Sequence, residues 1–507
     1  MARRGVRLAW GTMIRSLLIA NRGEIALRIL RTARERGIRV VTVFSPPDRN
    51  ALHVRLADSA HPLPGSSPSE SYLRGDLLLE IARETGAEAI HPGYGFLAEN
   101  ADFARAVEEA GRIFIGPGPE AILKMGDKIA ARRAAEEAGV PTIPGADAEL
   151  DPEVLLGRAE EIGFPVLLKA AAGGGGKGIR RVDRAEDFRE ALKLATDEAG
   201  GAFGDGRVYL EKFLVKPRHV EVQVLADNHG NTIALGEREC SVQRRHQKLV
   251  EESPSPAIDE DTRERMCEAA VRLAAAVDYR GAGTVEFMFS EGEFYFLEMN
   301  TRLQVEHAIT EERFGVDLVF EQIRVASGLE IRPPSRPRGH AIEVRINAED
   351  PDTFFPSLGT VERLASPGGP GVRFDSALFR GLEVGPWYDS MLAKVITWAP
   401  TRDEAIAKMR RALEELRITG VRTSVPAALR ALDSEAFRAG DYDTSLLDDL
   451  PRAFERRDFD LAALAAALAS HRRLLGSGEK GLEDGTARGR PTPWMLGRGP
   501  WEGGEGL

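Results

Sequence analysis

The chain has 507 residues, which at ~100–200 residues per domain allows two to four domains with clefts between them. Apolar residues make up 43 % and charged residues 29 %, the balance of a globular protein, and the formal net charge of −11 argues against a nucleic-acid-binding surface. Cys240 and Cys267 are too few for a disulfide framework or a cysteine-based zinc site, and no apolar run reaches the ~20 residues that cross a bilayer, which fits a reducing, cytoplasmic compartment and no membrane partner.

The basic opening Met1-Ala-Arg-Arg-Gly-Val-Arg-Leu8 lacks acids, as organelle-targeting peptides do, but it is short and reads as an extension ahead of Met13. Ser16–Ala20 is an apolar run that predicts a strand, and Ile25, Ala26, Ile29, Leu30 and Ala33 follow at helical spacing. Ile38–Phe44 is the next strand, so the chain begins with a βαβ unit and a parallel, Rossmann-like sheet. No glycine fingerprint follows the first strand, so this unit is not expected to hold a dinucleotide. Ala89–Leu97 and Ile113–Gly118 each run from a strand into a turn of glycine and proline, and the first domain is expected over 13–125. A helix from Lys128 leads to Val140-Pro-Thr-Ile-Pro-Gly145, a hinge.

Beyond the hinge lies Lys169-Ala-Ala-Ala-Gly-Gly-Gly-Gly-Lys-Gly-Ile-Arg-Arg-Val182. Consecutive glycines let several backbone N–H groups turn toward one anion, and Lys177 adds a charge. Gly173-x-Gly175-x-x-Gly178 satisfies the dinucleotide pattern, but that pattern has meaning only between a strand and a helix. Here Phe164–Lys169 and Ile179–Val182 both read as strands. A P-loop also fails, because Gly178 stands where Ser or Thr should follow the lysine. Strand, glycine loop, strand describes a hairpin flap able to close over phosphates, or a surface hairpin with no ligand.

Strands His219–Leu225, Thr284–Phe289 and Phe294–Asn300 are expected to form a largely antiparallel central sheet. If the turn between the last two has three residues, Glu286 sits opposite Glu298 and shares a face with Asn300, a set of oxygens that suits Mg²⁺. A two-residue turn would put the glutamates on opposite faces of a solvated sheet. Arg302 and Glu306 follow in Thr301-Arg-Leu-Gln-Val-Glu-His307, beside that face. Ser241-Val-Gln-Arg-Arg-His-Gln-Lys248 is dense in cations and reads as a solvated basic loop or an anion site. His91, His219 and His307 fit structural hydrogen-bonding as well as catalysis, and the two cysteines fit small buried side chains. Pro333-Pro-Ser-Arg-Pro337 marks a boundary, after which Ala341–Leu450 predicts mixed strands and two helices. Residues 451–507 predict one helix near Leu461–Ala469 and a flexible tail rich in Gly, Pro and Arg.

The runs Ile19–Ala26, His91–Leu97, Met125–Lys128, Gly173–Gly178, Arg218–Glu221, Gln243–Lys248, Glu298–His307 and Arg345–Asp350 together resemble biotin carboxylase, an ATP-grasp ligase. The resemblance spans Met13 to about Leu450. It implies an α/β and α+β protein: an N-terminal Rossmann-like domain, an ATP-grasp domain over 126–335 with a mobile glycine-rich lid over about 141–213, and a mixed α/β domain over 336–450. It also implies MgATP- and bicarbonate-dependent carboxylation of biotin N1′ through carboxyphosphate, with Mn²⁺ as the other possible metal.

By motif position, ATP falls to Lys128, Lys169, Gly173, Gly174, Gly175, Gly176, Gly178, Glu211, Lys212, Leu214, His219, Gln243 and His246. The metal falls to Glu286, Glu298 and Asn300, and bicarbonate to Lys248, Arg302, Gln304 and Val305. Glu306 corresponds to the general base and Arg345 to the group that stabilises the biotin enolate, with Lys248 and Arg302 completing the catalytic set. Ala172, Ala308 and Phe314 depart from the family pattern without removing a functional group.

No Ala-Met-Lys-Met biotin-attachment motif occurs, so biotin is expected on a separate carrier protein, with carboxyltransferase subunits as further partners and a homodimer as the assembly. Phe437–Leu446 resembles the α subunits of acyl-CoA carboxylases of the propionyl or methylcrotonyl kind. The alternatives are another ATP-grasp ligase or a nucleotide-binding assembly subunit without turnover. The first would lack the pairing of Gln243–Lys248 with Arg302–Glu306, and the second would be expected to have lost one of Lys248, Glu286, Glu298, Glu306 or Arg345.

Overall fold

Ser16–Ile19 (β1) is buried along its whole length, as a central parallel strand must be when both its faces are covered. In the computed structural model, which describes residues 13–146, 151–170, 178–204, 206–244 and 247–451, it pairs in parallel with Arg39–Phe44 (β2) and Ala89–His91 (β4). Ser59–Pro62 (β3) and Ile113–Phe114 (β5) complete a sheet of order β3-β2-β1-β4-β5. The predicted helix forms over Gly23–Glu35 and buries Ile25, Ala26, Ile29, Leu30 and Ala33 against it. Asn21 at the end of β1 donates through Nδ2 to the carbonyls of Pro92 (2.6 Å) and Tyr94 (2.8 Å), tying the two conspicuous turns together. Gly93 permits this approach: its φ is +67°, and a Cβ there would lie 2.9 Å from Asn21 Nδ2.

Gly145–Ala146 (β6), Val166–Ala170 (β7), Ile179–Val182 (β8) and Val208–Lys212 (β9) form a small antiparallel sheet of order β6-β9-β7-β8. β7 and β8 pair from Val166↔Val182 to Lys169↔Ile179, so strand, loop, strand holds. Gly173, Gly174, Gly175, Gly176 and His246 lie outside the described residues, as do residues 1–12 and the expected helix at 461–469.

The central sheet has eight strands. Arg218–Ala226 (β10), Thr232–Arg244 (β11), Gln247–Ser253 (β12), Gly281–Ser290 (β13), Glu293–Asn300 (β14) and His340–Asn347 (β15) belong to it. Gly359–Thr360 (β16) and Arg363–Ala365 (β17) stand outside it, as do Glu383–Val384 (β19) and Arg417–Thr419 (β21), while Val372–Ser376 (β18) and Met391–Ala399 (β20) join it. The order is β14-β13-β10-β11-β12-β15-β20-β18, with antiparallel neighbours throughout. The strands beyond Pro333–Pro337 therefore extend the sheet that carries Glu286. Two helices were expected in this region, and four are present: Arg402–Glu415, Val425–Asp433, Glu435–Ala439 and Leu446–Asp449. The last two are too short to show a period in the sequence.

β10 alternates Val220, Val222 and Val224 with His219, Glu221 and Gln223. The valines join the core formed with Met266, Ala270 and Leu273 of the helix Glu260–Ala276, so the polar residues face the other way, into a cleft. The β13–β14 turn is the two-residue Glu291-Gly292, at φ +52° and +85°, as a tight primed hairpin turn requires. It does not separate the glutamates, because the register shifts between Phe287↔Phe296 and Glu286↔Glu298 and leaves Leu297 as an extra, bulged residue.

Candidate active site

Cross-strand partners share a face, so β14, β13, β10 and β11 present the row Glu298, Glu286, Glu221 and Arg238 on one face of the sheet. Three carboxylates side by side repel one another, and cations answer them. Arg238 Nε donates to Glu221 Oε1 at 2.5 Å. Lys248 lies in β12 opposite Gln243, so it is a buried strand residue and not part of a solvated loop. Its Nζ reaches Glu221 Oε2 (2.6 Å), Glu286 Oε1 (3.0 Å), Gln304 Oε1 (3.4 Å) and Glu306 Oε1 (2.7 Å). Burial disfavours the ammonium, but these carboxylates outweigh it and hold its proton far above the ordinary lysine range.

Glu306 precedes the helix His307–Phe314 and is bound on both oxygens, Oε1 by Lys248 and Oε2 by Arg345 at 3.0 Å. Burial would raise its pKa. Lys248, Arg345 and Arg238 instead hold it far below the usual carboxylate range, so it is ionised. Glu286 is likewise held down despite burial, by Lys248 and by His219, whose Nε2 lies 2.9 Å from Glu286 Oε2. His219 is raised in turn, because Glu286 overcomes the effect of burial.

Glu298 differs from its neighbours. Desolvation in the cleft and repulsion from Glu286 push it up, and no side-chain cation pairs with it among the described residues. Asn300 Nδ2 donates to Glu286 Oε1 at 3.0 Å, and its Oδ1 accepts from Arg302 NH2 at 2.6 Å. Two adjacent carboxylates, with the Asn300 amide oxygen if it turns from Arg302 toward them, would give a hard, all-oxygen donor set that fits Mg²⁺ or Mn²⁺, and a cation would relieve the repulsion at Glu298. Arg302 is aimed by Glu99, whose Oε2 accepts from Nε at 2.7 Å, and Gln304 Nε2 donates to Glu286 Oε1 at 2.7 Å. The Val305 carbonyl accepts from Lys394.

Of these, Lys248, Glu286, Glu298, Asn300, Arg302, Gln304, Val305, Glu306 and Arg345 line one cavity of about 1450 Å³. That exceeds the ~300–1,000 Å³ of a typical small-molecule pocket and leaves room for more than one ligand. Lys128, His219 and Gln243 also line it, and Lys169, Glu211, Lys212 and Leu214 do so at the side formed by β7 and β9. There Lys169 is paired with Glu211, and Lys212 Nζ donates to the Ile162 carbonyl at 3.1 Å. Gly178 lies at the base of β8, where its carbonyl accepts from Ala170 N at 2.9 Å, and it is not among the cavity's lining residues.

Sequence reasoning gave no role to Glu221, Arg238, Glu99, Lys394 or Glu251, whose Oε1 accepts from Arg345 Nε at 2.5 Å. For Glu221 a signal existed: it shares a strand face with His219 and Gln223 opposite three valines. The others are placed by strand register and by contacts across many residues, which no local pattern records.

Three family profiles match the chain in order: the N-terminal domain of biotin carboxylase over 13–122, the ATP-binding domain of the carbamoyl-phosphate synthase L chain over 127–333, and the biotin carboxylase C-terminal domain over 343–449. Biotin carboxylase 1 of Bacillus subtilis is 53 % identical over 443 residues, covering 86 % of this chain and 98 % of that protein. A pyruvate carboxylase subunit from Methanothermobacter thermautotrophicus is 51 % identical over 448 residues, 87 % of this chain and 91 % of that one. Among solved structures, the biotin carboxylase domain dimer of Hydrogenobacter thermophilus 2-oxoglutarate carboxylase, in complex with MgADP, ADP and bicarbonate, aligns with a TM-score of 0.81 and 47 % identity over 87 % of this chain and 98 % of that one. Campylobacter jejuni biotin carboxylase aligns with a TM-score of 0.82 and 46 % identity, over 86 % of this chain and 98 % of that one.

Proposed function

The chain belongs to the biotin carboxylase family of ATP-dependent ligases, and from that premise we propose that it carboxylates biotin on a separate carrier protein as the first half-reaction of an acyl-CoA carboxylase. The observation that carries the reading is Glu306, an ionised carboxylate held between Lys248 at 2.7 Å and Arg345 at 3.0 Å within the cavity.

In this reading the phosphates of ATP lie against Lys128, Lys169 and the glycines of the β7–β8 loop, with His219, Gln243 and His246 in the same site and Glu211, Lys212 and Leu214 beside the base. Glu286, Glu298 and Asn300 hold Mg²⁺ or Mn²⁺, which neutralises charge on the phosphates when bound. Bicarbonate takes Lys248, Arg302, Gln304 and the Val305 backbone. As it claims Lys248 and Arg302 as counter-cations, Glu306 loses part of the attraction that depresses its pKa and becomes a stronger base. It then removes the bicarbonate proton, and the freed oxygen attacks the γ-phosphorus to give carboxyphosphate and ADP. Carboxyphosphate splits into CO₂ and phosphate, the phosphate takes the proton from biotin N1′ while Arg345 stabilises the enolate oxygen that develops, and N1′ then attacks the CO₂.

The acyl-CoA assignment rests on the resemblance of Phe437–Leu446, while relatives that serve pyruvate and 2-oxoglutarate carboxylases keep those acceptors as outcomes of the test. A homodimer in the cytoplasm, working with a carrier and carboxyltransferase subunits, completes the proposal; the Hydrogenobacter domain is a dimer. The test is ADP release with Mg²⁺, ATP and bicarbonate, with and without free biotin, using Glu306→Gln as the blank. Biotin-stimulated, bicarbonate-dependent turnover supports the reading. ATP binding without turnover, even with a biotinylated carrier domain, supports a non-catalytic assembly role instead.

A further inference from the structure

We propose that Glu343 on β15 and Glu251 opposite it on β12 share one proton behind Arg345, and that this pair sets how much of the guanidinium's charge remains for the substrate. The inference rests on the role proposed above for Arg345.

Glu251 and Glu343 are direct cross-strand partners, which places their Cβ atoms roughly 4.5–5.5 Å apart, and both side chains are fully buried. Glu251 Oε1 accepts from Arg345 Nε at 2.5 Å. Its Oε2, and both oxygens of Glu343, have no hydrogen-bond partner among the described residues. Three orphaned carboxylate oxygens in a dry sheet face need a proton or a cation.

The cations nearby are already committed. Arg345 serves Glu251 and Glu306. Lys394, its partner on β20, lies 3.5 Å from Glu24 and 3.9 Å from Glu343 and donates to the Val305 carbonyl. Lys248 on β12 is divided among Glu221, Glu286 and Glu306. On β18, Arg373 and Asp375 pair with each other at 2.6 Å. In the helix after Glu306, His307 is kept neutral by burial and by the cations around it. Glu24, on the first helix, already accepts from Tyr94 Oη at 2.5 Å. Arg345 and Lys394 therefore face four carboxylates, Glu24, Glu251, Glu306 and Glu343. A proton held between Glu251 Oε2 and one Glu343 oxygen satisfies two of the three orphaned oxygens and reduces the excess. Burial pushes Glu343 well above the usual carboxylate range and Glu251 up to about 7, with repulsion from Glu306 adding to both.

Above about pH 7 Glu251 is ionised and the pair carries one negative charge, and further into alkaline pH, where Glu343 also ionises, it carries two. The second charge lies beside Arg345 and weakens the field that stabilises the enolate of biotin. Glu343 and Glu251 are thus positioning residues for Arg345, and their titration touches the biotin step.

The test compares the pH profile of biotin-dependent turnover, relative to biotin-independent ATP cleavage, in the parent and in Glu343→Gln over about pH 6–9. The parent ratio is expected to fall by up to about tenfold per pH unit on its alkaline limb, and the limb is expected to vanish in Glu343→Gln, where the pair stays at one negative charge. An unchanged limb in the variant overturns the proposal. Infrared spectroscopy of the parent gives a second readout: a protonated-carboxyl band at neutral pH that titrates away over the same limb. Glu343→Asp shifts that band and assigns it if Glu343→Gln does not fold, and absence of the band overturns the proposal. A parent without biotin-stimulated turnover would count against the reaction itself, while the infrared band would still decide the shared proton.

Discussion

Glu286 and Glu298 stand directly opposite each other across β13 and β14 because Leu297 bulges out of the ladder between them and the turn. A two-residue turn with regular pairing would have sent the carboxylates to opposite faces. The bulge adds the missing residue and returns Glu298 to the face of Glu286, where among the described residues no side-chain cation lies within ion-pair distance of it.

Glu298→Gln is therefore expected to act in opposite directions on stability and function. Without metal it removes a cross-strand repulsion, worth roughly 0.2–1 kcal/mol, and should raise the melting temperature slightly. With Mg²⁺ it should weaken ATP cleavage and the thermal shift that Mg²⁺ produces. Calorimetry with and without Mg²⁺ checks both, and an undiminished Mg²⁺ shift would remove Glu298 from the ligand set.

Glu306→Gln should lower bicarbonate-dependent ATP cleavage by ~10²–10⁴-fold, the usual contribution of a general base, while ATP still binds. Titration calorimetry with ATP separates the two effects. A comparable loss of ATP affinity would assign Glu306 to nucleotide binding.

Arg345→Ala should reduce biotin-dependent turnover by ~10²–10³-fold, as expected for a donor to a developing oxyanion, and reduce ATP cleavage without biotin far less. Equal losses in the two assays would show that Arg345 acts on the phosphoryl step, through its contact with Glu306.

Acid stability should depend on Glu252, a buried carboxylate bonded to His340 Nε2 (2.7 Å), Arg402 Nε (2.7 Å) and Tyr442 Oη (2.5 Å). Burial opposes its ionisation, but His340 and Arg402 bring its pKa down to about 2 from an ordinary 4.5. A depressed carboxylate stabilises the fold above its unfolded pKa and loses that contribution as pH falls, here between about 4.5 and about 2. The difference corresponds to roughly 3 kcal/mol at neutral pH. Glu252→Gln should be less stable at pH 7 and flatter through that acid window in urea unfolding, and parallel curves for the two proteins would refute the linkage.

The order of elements was legible in the sequence where it depends on short-range pattern. Helical spacing after Ile25 and alternation from His219 to Leu225 were enough for the parallel N-terminal sheet and the antiparallel central one. What failed was register. Glu291-Gly292 is a two-residue turn that correctly argues for tight pairing, yet nothing in Phe294–Asn300 announces the bulge at Leu297. The contact of Arg345 with Glu251 spans 94 residues and exists only because β15 pairs with β12. The cation density of Ser241–Lys248 suggested solvent exposure, because it hid which cation points inward. Lys248 is buried by facing carboxylates that come from β10, β13 and the approach to His307.

The eight strands make a fixed yardstick. Glu286 on β13 and Arg345 on β15 are four strand spacings apart, about 19 Å at ~4.8 Å per spacing, on a single hydrogen-bonded lattice. Lys248 and Glu306 occupy the interval. Their side-chain ends are joined by much shorter steps, Glu286 to Lys248 at 3.0 Å, Lys248 to Glu306 at 2.7 Å and Glu306 to Arg345 at 3.0 Å, so in the proposed reaction the spacing between the phosphoryl and biotin ends is set by strand pairing, and altering one rung of that ladder would detune both ends together.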